Sequence, residues 1–159
     1  DGVIFSESIA RNIAVGDGEI EQERLLKASE IACIKEYIMS LPLKFNTKIG
    51  RDGIGLSQGQ KQRILIARAV YKNPNYIFLD EATNSLDARN EKAIVENLDK
   101  FYSGRTVVIV AHRLSTVRNA DRIIAIEDGK VAESGSHNEL ITKRGIYYNL
   151  IKNQLELGN

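Results

Sequence analysis

Tyr76-Ile77-Phe78-Leu79 is a short, mostly apolar run that ends abruptly in two carboxylates, Asp80 and Glu81, and this junction constrains the chain more than any other stretch. It is entered through Asn73-Pro74-Asn75, a turn signal. An apolar run bounded in this way reads as a buried parallel strand stopping at the carboxyl edge of an α/β sheet, the edge at which ligands bind. There Asp80 is suited to hold the magnesium of a nucleotide through water, because magnesium keeps part of its hydration shell. Glu81 is suited to orient or deprotonate an attacking water. An acidic pair after a strand is also what an ordinary solvated strand end looks like, so the pair needs support from elsewhere.

That support comes from Leu56-Ser57-Gln58-Gly59-Gln60. Ser57 stands where a helix should begin, and the run Ile64-Leu65-Ile66-Ala67-Arg68-Ala69-Val70 behind it is apolar on nearly every side. The spacing predicts a buried helix with its amino end exposed. The free N–H groups and dipole of such an end favour an anion, Ser57 can donate its hydroxyl, and Gly59 lets a phosphate approach the backbone. Ser57 is equally well placed as a plain helix cap, and the two roles are compatible.

Four segments in this order resemble the ATPase domain of ABC transporters. Leu56-Ser57-Gln58-Gly59-Gln60 is similar to the family signature, Ile77-Phe78-Leu79-Asp80-Glu81 to its Walker B strand with the catalytic glutamate, Ser85-Leu86-Asp87 to its D-loop, and Ala111-His112-Arg113 to its switch histidine. The resemblance implies an α/β fold, a partial P-loop NTPase (RecA-like) parallel sheet with a small helical subdomain. Residues 1–73 would hold the helical subdomain with the signature, and residues 74–159 the α/β core. It implies ATP and Mg2+ as cofactors, with Glu81 and His112 catalytic and Asp80 at the metal. Ser57, Gln58, Gly59, Gln60 and Asp87 would bind nucleotide, the signature residues acting in trans on ATP held by a second ABC ATPase domain in a head-to-tail dimer. The other implied partner is a transmembrane domain of the same parent chain.

The remaining sequence fits that expectation. Of 159 residues 43% are hydrophobic and 27% charged, enough for one ordinary core, and the formal net charge of +1 leaves no electrostatic footprint for nucleic acid. Cys33 is the single cysteine, so no internal disulfide forms, which suits a reducing compartment. No apolar run approaches the roughly 20 residues that span a bilayer. The start at Asp1 without Met points to a piece of something longer.

In chain order, Ser6 is expected to cap a short helix through Ala14, and apolar residues recur at helical spacing from Glu19 to Ser40, where Pro42 stops the pattern. Cys33 and Met39 read as core filler. Thr47 to Gly53 is turn-rich and resembles the X-loop by which ABC exporters touch their transmembrane helices, with Arg51 where that loop usually has glutamate. Asp87 can cap a helix through about Phe101, ended by Gly104, and Thr106 to Val110 follows as a β-branched strand. A right-handed crossover makes it parallel to the first strand, so His112 is expected at the edge of Asp80 and Glu81. Ile123–Glu127 and Val131–Glu133 flank the hairpin turn Asp128-Gly129 and are expected to close the far side of the sheet. Ser136 and Glu139 form a capping box, with His137 expected in solvent, and Tyr147, Leu150, Ile151 and Leu155 mark a closing helix.

No GxxxxGK followed by Ser or Thr occurs, so the phosphate-cradling loop is missing and these residues alone are expected to be inactive. The region from Thr47 to Arg63 and the closing segment Gly145 to Leu157 resemble peptidase-containing exporters of bacteriocin-like peptides. The expected role is the ATP-hydrolysing portion of such an exporter at the cytoplasmic face of the bacterial inner membrane. Two other readings stay open: a soluble ABC ATPase of the DNA-repair or translation type, and a non-enzymatic half-site module.

Overall fold

A computed structural model describes residues 2–16, 18–80, 88–110 and 117–157. Its elements run α1 (Ile9–Ile13), α2 (Gln22–Ile31), α3 (Lys35–Ser40), α4 (Gln58–Lys72), β1 (Tyr76–Asp80), α5 (Ala88–Tyr102), β2 (Thr106–Val110), β3 (Ile123–Glu127), β4 (Lys130–Gly135), α6 (His137–Lys143) and α7 (Ile146–Leu157). Two units divide them, one of Asp1–Ile77 with Ala82–Val108, the other of Phe78–Glu81 with Ile109–Asn159.

In the first unit α4 is the spine. Its Ile64, Ala67 and Tyr71 are almost wholly buried against Ile9 and Ile13 of α1 and Leu25 and Ala28 of α2, and Ile94 and Leu98 of α5 join the same core. Each buried isoleucine or leucine here contributes about 1.5–3 kcal/mol, which decides which helix faces turn inward. The expected helical stretch from Glu19 to Ser40 is two helices. Cys33 adopts a left-handed backbone (φ 50°), its N–H donates to the Glu30 carbonyl at 2.9 Å, and the Ile34 N–H donates to that of Ser29 at 3.0 Å. This pair of bonds is a Schellman ending, here without the usual glycine, and it aims Ile34 into the core. Cys33 is half-buried, so it fills the core margin and sets the turn. Met39, expected in the core, is 40% exposed.

The cap of α1 is Ser8 and not the expected Ser6; its hydroxyl accepts from the Arg11 N–H. Tertiary pairing makes the choice. The Ile9 N–H donates to the Thr47 carbonyl (3.0 Å) and the Ile49 N–H to that of Glu7 (2.9 Å), keeping Glu7 and Ser8 extended. The glycine-rich loop is correspondingly tight: Gly50 has φ 91°, and a Cβ there would lie 2.9 Å from the Phe5 carbonyl oxygen.

β1 and β2 form a parallel two-stranded sheet, with α5 as the helix between them in sequence. The Thr106 N–H donates to the Asn75 carbonyl at 3.1 Å, setting the two strand starts side by side. The expected full burial of β1 is corrected: Ile77 is buried, whereas Phe78 is 75% exposed. A period-2 strand packed on one face only leaves alternate residues open.

In the second unit β3 and β4 pair antiparallel. Asp128 and Gly129 are both left-handed (φ 49° and 72°), the conformation that a two-residue hairpin turn of matching twist demands. Among the described residues this hairpin is a sheet of its own, where the sequence reading had it closing the first sheet. Its inner residues Ile123 and Ala125 pack with Leu140 of α6 and Tyr147 and Ile151 of α7. The expected capping box at Ser136 and Glu139 is present. His137, expected in solvent, is half-buried, with Nδ1 2.8 Å from the Tyr147 hydroxyl; the turn between α6 and α7 brings the two rings edge to face.

Candidate functional site

The amino end of α4 is built by four consecutive residues. Ser57 is extended (ψ 160°) and its hydroxyl accepts from the Gln60 N–H, while the Gln60 side-chain oxygen accepts from the Ser57 N–H. The two bonds measure 3.2 and 2.9 Å. This capping box satisfies the first and last donors of the turn and leaves the Gln58 and Gly59 amides at the tip. It uses the Ser57 oxygen only as an acceptor, so the hydroxyl proton is available to a ligand. No acidic side chain stands in the first turn of α4, so the positive end of the helix dipole keeps its strength. Ser57 and Gln58 are exposed, and Gly59 and Gln60 half-buried. The terminus can therefore present one hydroxyl and two amides to an anion from outside.

Its position is fixed from behind. Leu56 packs against the core. Farther along α4, the Arg68 Nε donates to the Asn12 carbonyl at 2.7 Å. The wholly buried Asn12 in turn accepts from the Phe5 N–H at 2.8 Å and donates to the Phe5 carbonyl at 3.0 Å. Sequence reasoning passed over this clasp; its one signal was an asparagine between the isoleucines of Ile9-Ala10-Arg11-Asn12-Ile13.

Asp80 closes β1, and because β2 runs parallel, both strands end at one edge of their sheet. Glu81, Asp87 and His112 lie outside the described residues. Among the described residues no three acidic, histidine or cysteine side chains gather as a metal cage. A magnesium that arrives with nucleotide phosphates needs one or two carboxylates and no such cage, so a single aspartate at the strand end fits that ion. No described helix is long and apolar enough to cross a membrane.

Residues 3–84 match the family model described as ABC transporter. The chain belongs to the ABC transporter family. It is 47% identical over 157 residues to the Toxin RTX-III translocation ATP-binding protein of Actinobacillus pleuropneumoniae, covering 98% of this chain and 22% of that protein. To the ATP-dependent lipid A-core flippase of Saccharophagus degradans it is 45% identical over 152 residues, 96% of this chain and 26% of the flippase. To the human ATP-binding cassette sub-family B member 5 it is 46% identical over 152 residues, 96% of this chain and 12% of that protein. The chain thus spans about a quarter or less of these relatives. The fold agrees: a solved bacterial Atm1-family ABC exporter with ATP bound superposes with a TM-score of 0.89 at 38% identity, over 97% of this chain and 27% of the exporter chain.

Proposed function

We propose that this ABC chain is part of the ATP-binding and ATP-hydrolysing domain of an exporter, and that the Ser57 terminus of α4 closes over nucleotide held by a second ATPase domain. The observation that carries this reading is the capping box, which leaves a hydroxyl proton and two amides facing outward on an undiminished helix dipole. In this reading Ser57, Gln58 and Gly59 meet the phosphates in trans, and Gln60 holds Ser57 in place through the box. Asp80 holds Mg2+ through water at the carboxyl edge of β1, Glu81 handles the attacking water, His112 contacts the γ-phosphate, and Asp87 completes the dimer contact. Closure on ATP and reopening after hydrolysis would drive a transmembrane domain of the same parent protein, through the loop of Thr47 to Gly53.

For cargo we propose a peptide of the bacteriocin-like class, exported across a bacterial inner membrane from its cytoplasmic face. The resemblance of the segments around Thr47–Arg63 and Gly145–Leu157 supports it, and the likeness to a toxin-translocation protein points the same way.

Ser57→Asp in the full-length protein separates capping from phosphate binding. Aspartate caps a helix about as well as serine, yet it sets a negative charge where a phosphate would approach. The expected result is an unchanged melting temperature with ATP hydrolysis reduced at least about tenfold, a loss of order 1.4 kcal/mol. Wild-type hydrolysis by this variant would refute the role given to Ser57.

A further inference from the structure

Away from the signature, α2, α4 and α5 and the residues just after α4 and α5 line an open-sided cleft of about 200 Å³. Its apolar wall comes from Ala28, Ile31, Val70 and Phe101, and Arg24, Lys27 and Arg105 also line it. No acidic residue does.

Arg105 is held in place by an aromatic ring and neutral oxygens, and Arg24 by a ring, a carbonyl and the carboxylate of Glu21. The Arg105 guanidinium lies 4.2 Å from the Phe101 ring centroid. Its Nη2 donates to the Asn73 side-chain oxygen at 2.7 Å and its Nη1 to the Phe101 and Ser103 carbonyls. These three bonds leave Nε and one Nη2 hydrogen of its five donors for another acceptor. Arg24 sits 4.6 Å from the Tyr71 ring centroid, with Nη2 donating to the Tyr71 carbonyl at 2.7 Å and Nη1 paired with the exposed Glu21. Neither ion pair among the described residues involves Lys27 or Arg105. The neutral acceptors on Arg105 orient it without cancelling its charge, so Arg105 and Lys27 give the rim a positive excess over an apolar floor.

We propose that this cleft binds a small organic anion, an acidic head on a compact apolar body such as an aryl or short-chain carboxylate. The head would rest between Lys27 and Arg105 and the body on Ile31, Val70 and Phe101. The volume lies below the roughly 300–1,000 Å³ of drug-sized pockets, which limits the body to about one ring. Because α2, α4 and α5 all contribute, such a ligand bridges the signature helix to its neighbours. The site is independent of the nucleotide reading above, since it uses none of the residues assigned there.

Fluorine NMR on the full-length protein tests it, with nucleotide sites filled by a non-hydrolysable ATP analogue and Mg2+. The probes are para-fluorobenzoate and its neutral counterpart para-fluorobenzamide. The expected result is millimolar benzoate binding, the range open to a ligand of this size, with the amide weaker by about tenfold, the scale of one charge-assisted hydrogen bond. Lys27→Glu should abolish benzoate binding, and Lys27→Gln should weaken it severalfold; Arg105→Gln, which also frees Asn73, is read only where the melting temperature holds. Equal binding of acid and amide would overturn the proposal. So would benzoate binding unchanged in Lys27→Glu, or displacement of benzoate by inorganic phosphate at equal concentration, which would deny the apolar body its part.

Discussion

Arg68 and Asn12 tie the signature helix to the start of the chain: the Arg68 Nε donates to the Asn12 carbonyl at 2.7 Å, and its Nη2 reaches the Val3 carbonyl at 2.9 Å. Asn12 is completely buried, and its side chain bonds both polar groups of the Phe5 backbone. The helix that begins at Ser57 therefore rests on an extended segment whose Phe5 N–H is satisfied by Asn12 and whose Val3 carbonyl is satisfied by Arg68.

Asn12→Ala should be among the more damaging single changes in this unit. It leaves the Phe5 N–H without its partner in a partly buried site, at a cost of about 1–3 kcal/mol, while the Phe5 carbonyl keeps the Glu7 N–H at 2.8 Å. Arg68→Met keeps much of the aliphatic stem while losing the bonds, and should cost less. Thermal unfolding of the full-length protein checks the order; a harmless Asn12→Ala would show that water replaces the side chain freely.

Two glycines should respond differently to alanine. A Cβ on Gly53 would meet the Lys48 carbonyl oxygen at 2.4 Å, which is backbone, whereas one on Gly145 would meet the Glu133 carboxylate at 1.7 Å, the end of a flexible side chain. Gly145→Ala should displace that carboxylate from the Tyr147 N–H, which it accepts at 2.9 Å, and cost about 1 kcal/mol, the scale of a lost cap. Gly53→Ala must move the loop itself, with a penalty of about 1–3 kcal/mol. Unfolding measurements on the two variants should rank them in that order.

The capping box of α6 should carry a pH signature. The backbone N–H of Ser136 donates to Glu139, then its hydroxyl, and together they hold the Glu139 carboxyl below the usual glutamate range. A depressed folded-state pKa gives stability that is present above the unfolded value, about 4.3, and is lost as pH falls through the folded value. The Ser136 amide resonance should therefore shift on acidification below the ordinary glutamate midpoint. Glu139→Gln should keep the box and abolish that titration, and a shift that persists in this variant would assign it elsewhere.

Local chemistry made part of the molecule legible in advance. Ser57 as a helix cap, Ser136 with Glu139, and Asp128-Gly129 each specify a short backbone geometry, and each forms as read, whereas the reciprocal bond from Gln60 to Ser57 was not foreseen. Tertiary choices were not legible. Ser6 and Ser8 are equivalent as caps, and the pairing of Glu7 and Ile9 with the loop at Thr47 and Ile49 decides between them. Cys33 was read as filler because nothing in a cysteine announces a left-handed turn. His137 and Tyr147 lie ten residues apart, beyond any helical spacing. Of the candidate site, the helix start at Ser57 was legible because a polar cap stands directly before an apolar helical run.

ATP turnover by the full-length protein carrying Glu81→Gln tests the central claim most directly. If Glu81 handles the attacking water beside Mg2+ at Asp80, turnover at saturating ATP should fall by about 10²–10⁴, the range for a lost general base, while ATP binding stays intact and the two ATPase domains remain closed. Turnover equal to wild type at saturating ATP would contradict the assignment and the reading of the strand end on which it rests.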